Sequence, residues 1–111
     1  MQPITETLSH PATSEIELGA VLHALSDEVR LSIVLAVADN AECAMGGIDV
    51  PVSKSTCTHH FKVLRDAGVI RQRQVGTARL NSLRDEELNE RFPGLLDSVL
   101  SAARARRAAV A

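Results

Sequence analysis

The stretch SKSTCTHHFKVLRDAGVI, Ser53 to Ile70, opens on small hydroxyl residues, continues with apolar residues three and four apart, and stops at Ala-Gly. In a helix of about 3.6 residues per turn, Cys57, Phe61 and Leu64, with Val63 beside them, fall on one side. Lys54, Thr56, Thr58, His59, Lys62 and Arg65 fall on the other side or its margins. Ser53 or Ser55 supplies an N-cap, and Gly68 supplies a left-handed stop that costs no Cβ clash. The pattern predicts a helix with one face held in a core and one polar face presented outward. Neighbouring positions cannot share a helix face, so His59 and His60 divide: His59 is assigned outward and His60 is left open.

After this helix, Val69 to Gln74 and Thr77 to Leu83 alternate around Val75-Gly76, the pattern of a β-hairpin. Arg71, Arg73 and Arg79 project from it. Before it, Ser14 with Glu15 and Glu17 reads as a helix start, with Leu18, Val21, Leu22 and Leu25 as the apolar stripe. A second helix is expected from near Ser26 to about Ala38 and looks buried on most sides. Asp39-Asn40 breaks the chain, and Cys43 to Gly46 allows only a short turn. Beyond the hairpin, Asp85, Glu86 and Glu87 start a helix interrupted at Phe92-Pro93-Gly94. It resumes through Leu95, Leu96, Val99 and Leu100, the residues expected at a dimer seam.

The length of 111 residues predicts one domain. Residues 1–13 are expected to be a flexible N-terminal arm, 14–108 the folded domain, and 109–111 a frayed tail. The formal net charge is -2, yet Ser53 to Arg84 carries seven basic residues against Asp66 alone. Residues 1–52 hold eight acids against Arg30. A basic segment inside an acidic chain is the footprint of a polyanion partner, which net charge conceals. Two cysteines and no long apolar run predict a cytoplasmic chain with reduced thiols and no membrane span. Neither a phosphate loop nor a locally spaced nucleophile, acid and base appears, so no enzyme is expected.

Taken together, LHALSDEVRLSIVLAV (Leu22 to Val37) and STCTHHFKVLRDAGVI (Ser55 to Ile70) resemble the ArsR/SmtB family of bacterial winged helix-turn-helix repressors. The resemblance covers roughly residues 15 to 104. It implies a mainly α fold with a small β-hairpin, a winged helix-turn-helix, dimeric with terminal helices at the interface. The helix matching Lys54 to Ala67 would enter the major groove of double-stranded DNA, with Ser55, Thr56, Thr58, His59 and His60 at recognition positions. The hairpin would be the wing, and Leu18 and Leu22 would join the closing helix at the homodimer interface. Hydroxyl and imidazole groups suit base edges and phosphates, and Lys54, Lys62 and the wing arginines suit the backbone. The expected function is a repressor on a palindromic operator, answering to a small effector, metal or partner protein; the alternative is a winged-helix module acting on a non-DNA partner.

The chain departs from the family's metal sensors. ECAMGGI, Glu42 to Ile48, offers one thiol where a Cys-x-Cys is familiar, and Phe92 to Ala111 contains no His. His10 with His23 remains a candidate nickel or zinc pair across a dimer. Cys43 and Cys57 are candidates for a thiol switch, although Cys57 falls on the inward face of its helix.

Overall fold

The computed structural model describes residues 5–110, with side chains described over 8–109. The arm's first four residues and Ala111 of the expected tail lie outside the described part. Along the chain run β1 (Thr5–Thr7), α1 (Leu18–Leu25), α2 (Glu28–Ala38), β2 (Cys43–Ala44) and α3 (Lys54–Asp66). They are followed by β3 (Ile70–Val75), β4 (Ala78–Leu83), α4 (Asp85–Arg91) and α5 (Leu95–Val110). Single 3-10 turns occupy Thr13–Glu15 and Met45–Gly47.

The first helix begins at Leu18, later than the Ser14 start read from the sequence. Glu15 Oε1 instead accepts from Ala12 N–H at 2.8 Å, which closes a tight turn, and Ile16 leaves it in an extended conformation. That conformation drives the Ile16 side chain into the core, while its carbonyl accepts from Arg91 Nη2 at 2.6 Å. The cap of α2 is Asp27: its carboxylate accepts from Val29 N–H at 2.8 Å and Arg30 N–H at 3.0 Å. A carboxylate here satisfies two orphan amides and also meets the positive end of the helix dipole.

The core lies among α1, α2, α3 and the start of β3 and extends to Leu88 of α4 and Leu96, Leu100 and Ala103 of α5. Ile33, Val34 and Val37 of α2 meet Val21 and Ala24 of α1 and Phe61 and Leu64 of α3 within one buried cluster. Burying each large member contributes roughly 1.5–3 kcal/mol. Arg30 is buried in the same region and links three helices. Its Nε donates to the Ala24 carbonyl at 2.8 Å, its Nη2 to the His23 carbonyl at 3.2 Å, and its Nη1 lies 3.2 Å from His60 Nδ1. This resolves the histidine pair: His60 is a buried positioning group and His59 faces outward.

The hairpin sits in a four-stranded antiparallel sheet of order β1-β3-β4-β2. Its turn is Gly76-Thr77, with Gly76 at φ +59, the positive φ that a Gly-X hairpin turn needs at its first central residue. This fixes Gln72 opposite Asn81. In the segment expected as an arm, Thr5–Thr7 pairs with Val75–Arg73, and beyond it His10 contacts Gln72 and Pro11 contacts Arg84. Leu96 and Leu100, expected at the dimer seam, are 5% exposed and buried in the core of this chain. Their helical face is already occupied by intrachain packing, leaving Leu95 and Val99 half-buried beside it.

Candidate nucleic-acid interface

Helix α3 divides its residues sharply between two faces. Cys57, His60, Phe61 and Leu64 are buried, whereas Lys54, Ser55, Thr56, Thr58, His59 and Lys62 are all exposed. Ser53 caps the helix by accepting from Thr56 N–H at 3.3 Å and donates to Thr56 Oγ1 at 2.9 Å. Thr58 donates its hydroxyl to the Lys54 carbonyl at 3.0 Å, which fixes its rotamer and leaves the oxygen free to accept from a ligand. Between this helix and the hairpin lies a cleft of about 650 Å3, lined by Lys54 and Thr58 on one wall and Gln74, Thr77 and Arg79 on the other. The two basic elements expected to act together therefore share one concave surface.

Lys62, Arg71, Arg73 and Arg79, cations expected to meet a polyanion, are held in place by intramolecular partners. Lys62 Nζ lies 2.6 Å from Asp66 Oδ2. Arg73 makes a two-pronged contact with Glu42, with Nε and Nη2 each 2.8 Å from a carboxylate oxygen. The hydrogen bond from Arg73 holds the Glu42 carboxyl below its ordinary range. Arg71 Nη2 lies 3.0 Å from Glu87, and Arg79 Nε donates to Gln74 Oε1 at 3.0 Å. These contacts are exposed or half-exposed, so each is weak and exchangeable for a phosphate oxygen.

Sequence reasoning missed the groups that join helix to hairpin. Gln72 and Asn81 are 1% and 0% exposed. Gln72 Oε1 accepts from Arg65 Nη1 at 2.9 Å, and its Nε2 donates to Asn81 Oδ1 at 2.8 Å. Asn81 Nδ2 in turn donates to the Cys43 carbonyl at 3.2 Å. The chain of bonds runs from α3 through β3 and β4 to β2 and fixes the hairpin's attitude to the helix. The signal was present once the two-residue turn was fixed, because that register sets Gln72 against Asn81. A search for apolar periodicity passes over a polar pair facing inward. Arg84, counted in the sequence only among the basic residues of the segment, belongs to this buried set. It is 5% exposed, its Nε lies 2.6 Å from Glu87, and its Nη1 donates to the Pro11 carbonyl at 2.9 Å.

The remaining candidates fall elsewhere. Leu18 and Leu22 are each 46% exposed, the large hydrophobics most open to solvent among the described residues. Arg104 pairs with Asp39 at 2.9 Å, Arg106 with Glu28, and Arg107 donates to Ser32 Oγ at 2.7 Å, so the cluster beyond Ala103 braces α5 against α2 and its end. Burial pushes both cysteine thiols above their ordinary range, which disfavours the reactive thiolate. His10 Nε2 accepts from Gln72 N–H at 2.9 Å and its Nδ1 is buried. His23 stands exposed on α1. Among the described residues, no three His, Cys, Asp or Glu side chains are grouped to hold a metal ion, and no helix is long and apolar enough to cross a membrane.

Comparison with known proteins agrees with this architecture. A helix-turn-helix domain family matches residues 25–73. The uncharacterized HTH-type transcriptional regulator YceK of Bacillus subtilis (strain 168) is 32% identical over 82 residues, spanning 71% of this chain and 82% of that protein. Among solved structures, the ArsR family transcriptional regulator RHA00566 superposes with a TM-score of 0.63 at 18% identity, covering 73% of this chain and 90% of that one. The transcriptional repressor BigR from Xylella fastidiosa gives 0.55 at 21% identity, covering 68% and 85% respectively. At these identities the solved structures show a shared winged helix-turn-helix fold.

Proposed function

Because the chain belongs to the helix-turn-helix family of transcriptional regulators, we propose that it is a homodimeric repressor of the ArsR/SmtB type. It reads a palindromic operator with α3 and grips the flanking backbone with the β3–β4 wing. The observation that carries this reading is the clean division of α3, whose six exposed residues from Lys54 to Lys62 face outward beside the cleft. Thr58 and His59 supply hydroxyl and imidazole groups to base edges, while Lys54, Lys62, Arg73 and Arg79 supply charge to phosphates. Leu18 and Leu22, with the half-buried Leu95 and Val99, are the apolar residues left for a second copy. Two-fold pairing would present two recognition helices to successive half-sites of an inverted repeat. An effector acts by favouring one geometry of that pair over another.

Fluorescence anisotropy with the chain's own upstream promoter against a scrambled duplex, at about 0.15 M salt, tests the proposal. A preference of roughly 10³-fold or more supports a sequence-specific regulator. His59→Ala or Thr58→Val should then lose affinity in an operator-dependent way, by about 1–3 kcal/mol for a base-reading contact. Equal loss on every duplex removes the base-reading assignment, and no promoter preference overturns the operator reading in favour of a protein partner.

A further inference from the structure

The segment ahead of α1 lies along the outer edge of the wing, where one histidine takes over from the strand pairing. Strand β1 pairs Thr5, Glu6 and Thr7 with Val75, Gln74 and Arg73 and covers what would otherwise be the free edge of β3. The ladder stops there. The next amide along β3, Gln72 N–H, is received by the His10 ring, with Nε2 accepting at 2.9 Å. A second fastening follows immediately, from Arg84 Nη1 to the Pro11 carbonyl at 2.9 Å. Gln72 is also the residue whose side chain joins Arg65 of α3 to Asn81 of β4. The arm and the link between recognition helix and wing therefore meet at one residue.

We propose that His10 is a pH-sensitive latch, which straps the N-terminal arm onto the wing when neutral and releases it on mild acidification, loosening the wing's attachment to the recognition helix. The consequence for DNA rests on the regulatory reading above; the latch itself does not. Its chemistry follows from the donor pattern. Nε2 can accept from Gln72 only while it carries no proton, and a proton there sets one N–H against another. The cationic ring would face Arg71 of β3, Arg84 between β4 and α4, and Arg65 of α3. Glu87 of α4 is committed to Arg84 and Arg71. Burial first, and then the charge of Arg71, hold the His10 ring below its ordinary value of 6.5; Arg84 and Arg65 add to this, and the Leu8 backbone opposes it.

The sign follows. A histidine whose docked pKa is depressed supports docking fully above its free value. That support is lost as pH falls through the window between about 6.5 and the docked midpoint, by up to about tenfold in the docking equilibrium per pH unit. Glu87, whose own carboxyl lies below its ordinary range, keeps its charge through this window.

The test is NMR of the full chain without DNA, from about pH 7.5 to 5.0. The His10 ring should titrate below 6.5, and the Gln72 amide resonance should move with the same midpoint while its hydrogen-exchange protection falls about tenfold or more. His10→Gln keeps an acceptor near the Nε2 position and cannot titrate, so Gln72 should stay protected across the range. His10→Ala should leave Gln72 unprotected throughout. A ring that titrates at or above 6.5, or a Gln72 amide that ignores it, overturns the latch. On the promoter duplex, the ratio of wild-type to His10→Gln affinity should fall with pH. A constant ratio alongside a working latch overturns only the link to DNA, and absence of promoter binding at any pH speaks against the operator reading alone.

Discussion

Gly68→Ala is the most exacting perturbation of the joint between α3 and the β3–β4 hairpin. Gly68 follows α3 at φ +84, and its amide donates to the Arg65 carbonyl at 3.0 Å while Val69 N–H donates to the Leu64 carbonyl at 3.0 Å. A methyl group meets two obstacles there. The left-handed backbone costs an L-residue roughly 1–2 kcal/mol. The added Cβ would also lie 2.6 Å from Ile16 Cγ1 and 2.8 Å from Ile16 Cδ1, and Ile16 is fully buried and branched, so it cannot swing aside. Overpacking of this kind costs about 1–3 kcal/mol. The expected loss is therefore ~2–5 kcal/mol, a large part of the stability of a domain this size. At about 4 °C per kcal/mol, the midpoint should fall by ~8–20 °C. Urea unfolding followed by circular dichroism measures the free-energy loss, and a thermal melt measures the midpoint. The clash is separable from the backbone effect by repeating the substitution on Ile16→Ala, where only the ~1–2 kcal/mol backbone cost should remain. A single-mutant loss below about 0.5 kcal/mol, or the same loss in both backgrounds, refutes the reasoning.

Three further outcomes follow from contacts described above. Glu42→Gln removes the carboxylate that occupies Arg73, so non-specific and specific DNA affinity should rise together, and the salt dependence should steepen by about one phosphate contact; unchanged binding would remove Arg73 from the phosphate contacts. Asp27→Ala removes the α2 cap and should cost about 1 kcal/mol at neutral pH. Its carboxyl is held below the ordinary 3.8 chiefly by the Arg30 amide, so the stabilisation is present above that value and lost as pH falls through the lower folded midpoint. The gap between wild type and variant in urea unfolding should therefore close in strong acid, and a gap that stays constant would be wrong for this mechanism. Leu22→Glu places charge on an exposed apolar residue of α1 without disturbing the protomer core, and light scattering should show a shift from dimer to monomer with unchanged helicity. A persistent dimer would move the interface away from α1.

The sequence by itself determined the helices, the hairpin and the division of α3, because these are set by periodicity, caps and turn residues within a few positions. Phe61 and Leu64 could only go inward if Thr58 and Lys62 went outward, and Gly68 could only end the helix. The ionic charge of Ser53 to Arg84 was equally legible, since it is a property of composition. Tertiary structure decided the rest. The sequence could not say that Arg73 would meet Glu42, 31 residues away, or that Arg30 would find His60, because such partners are chosen by how the helices pack. The same holds for Leu96 and Leu100: an apolar stripe shows that a helix face is covered, but only packing shows whether its own chain or a second copy covers it. The arm carried the least local signal of all. The placement of its residues 5–13 comes from the open edge of β3, the amide of Gln72 and the Arg84 side chain, which come together only when the wing has folded.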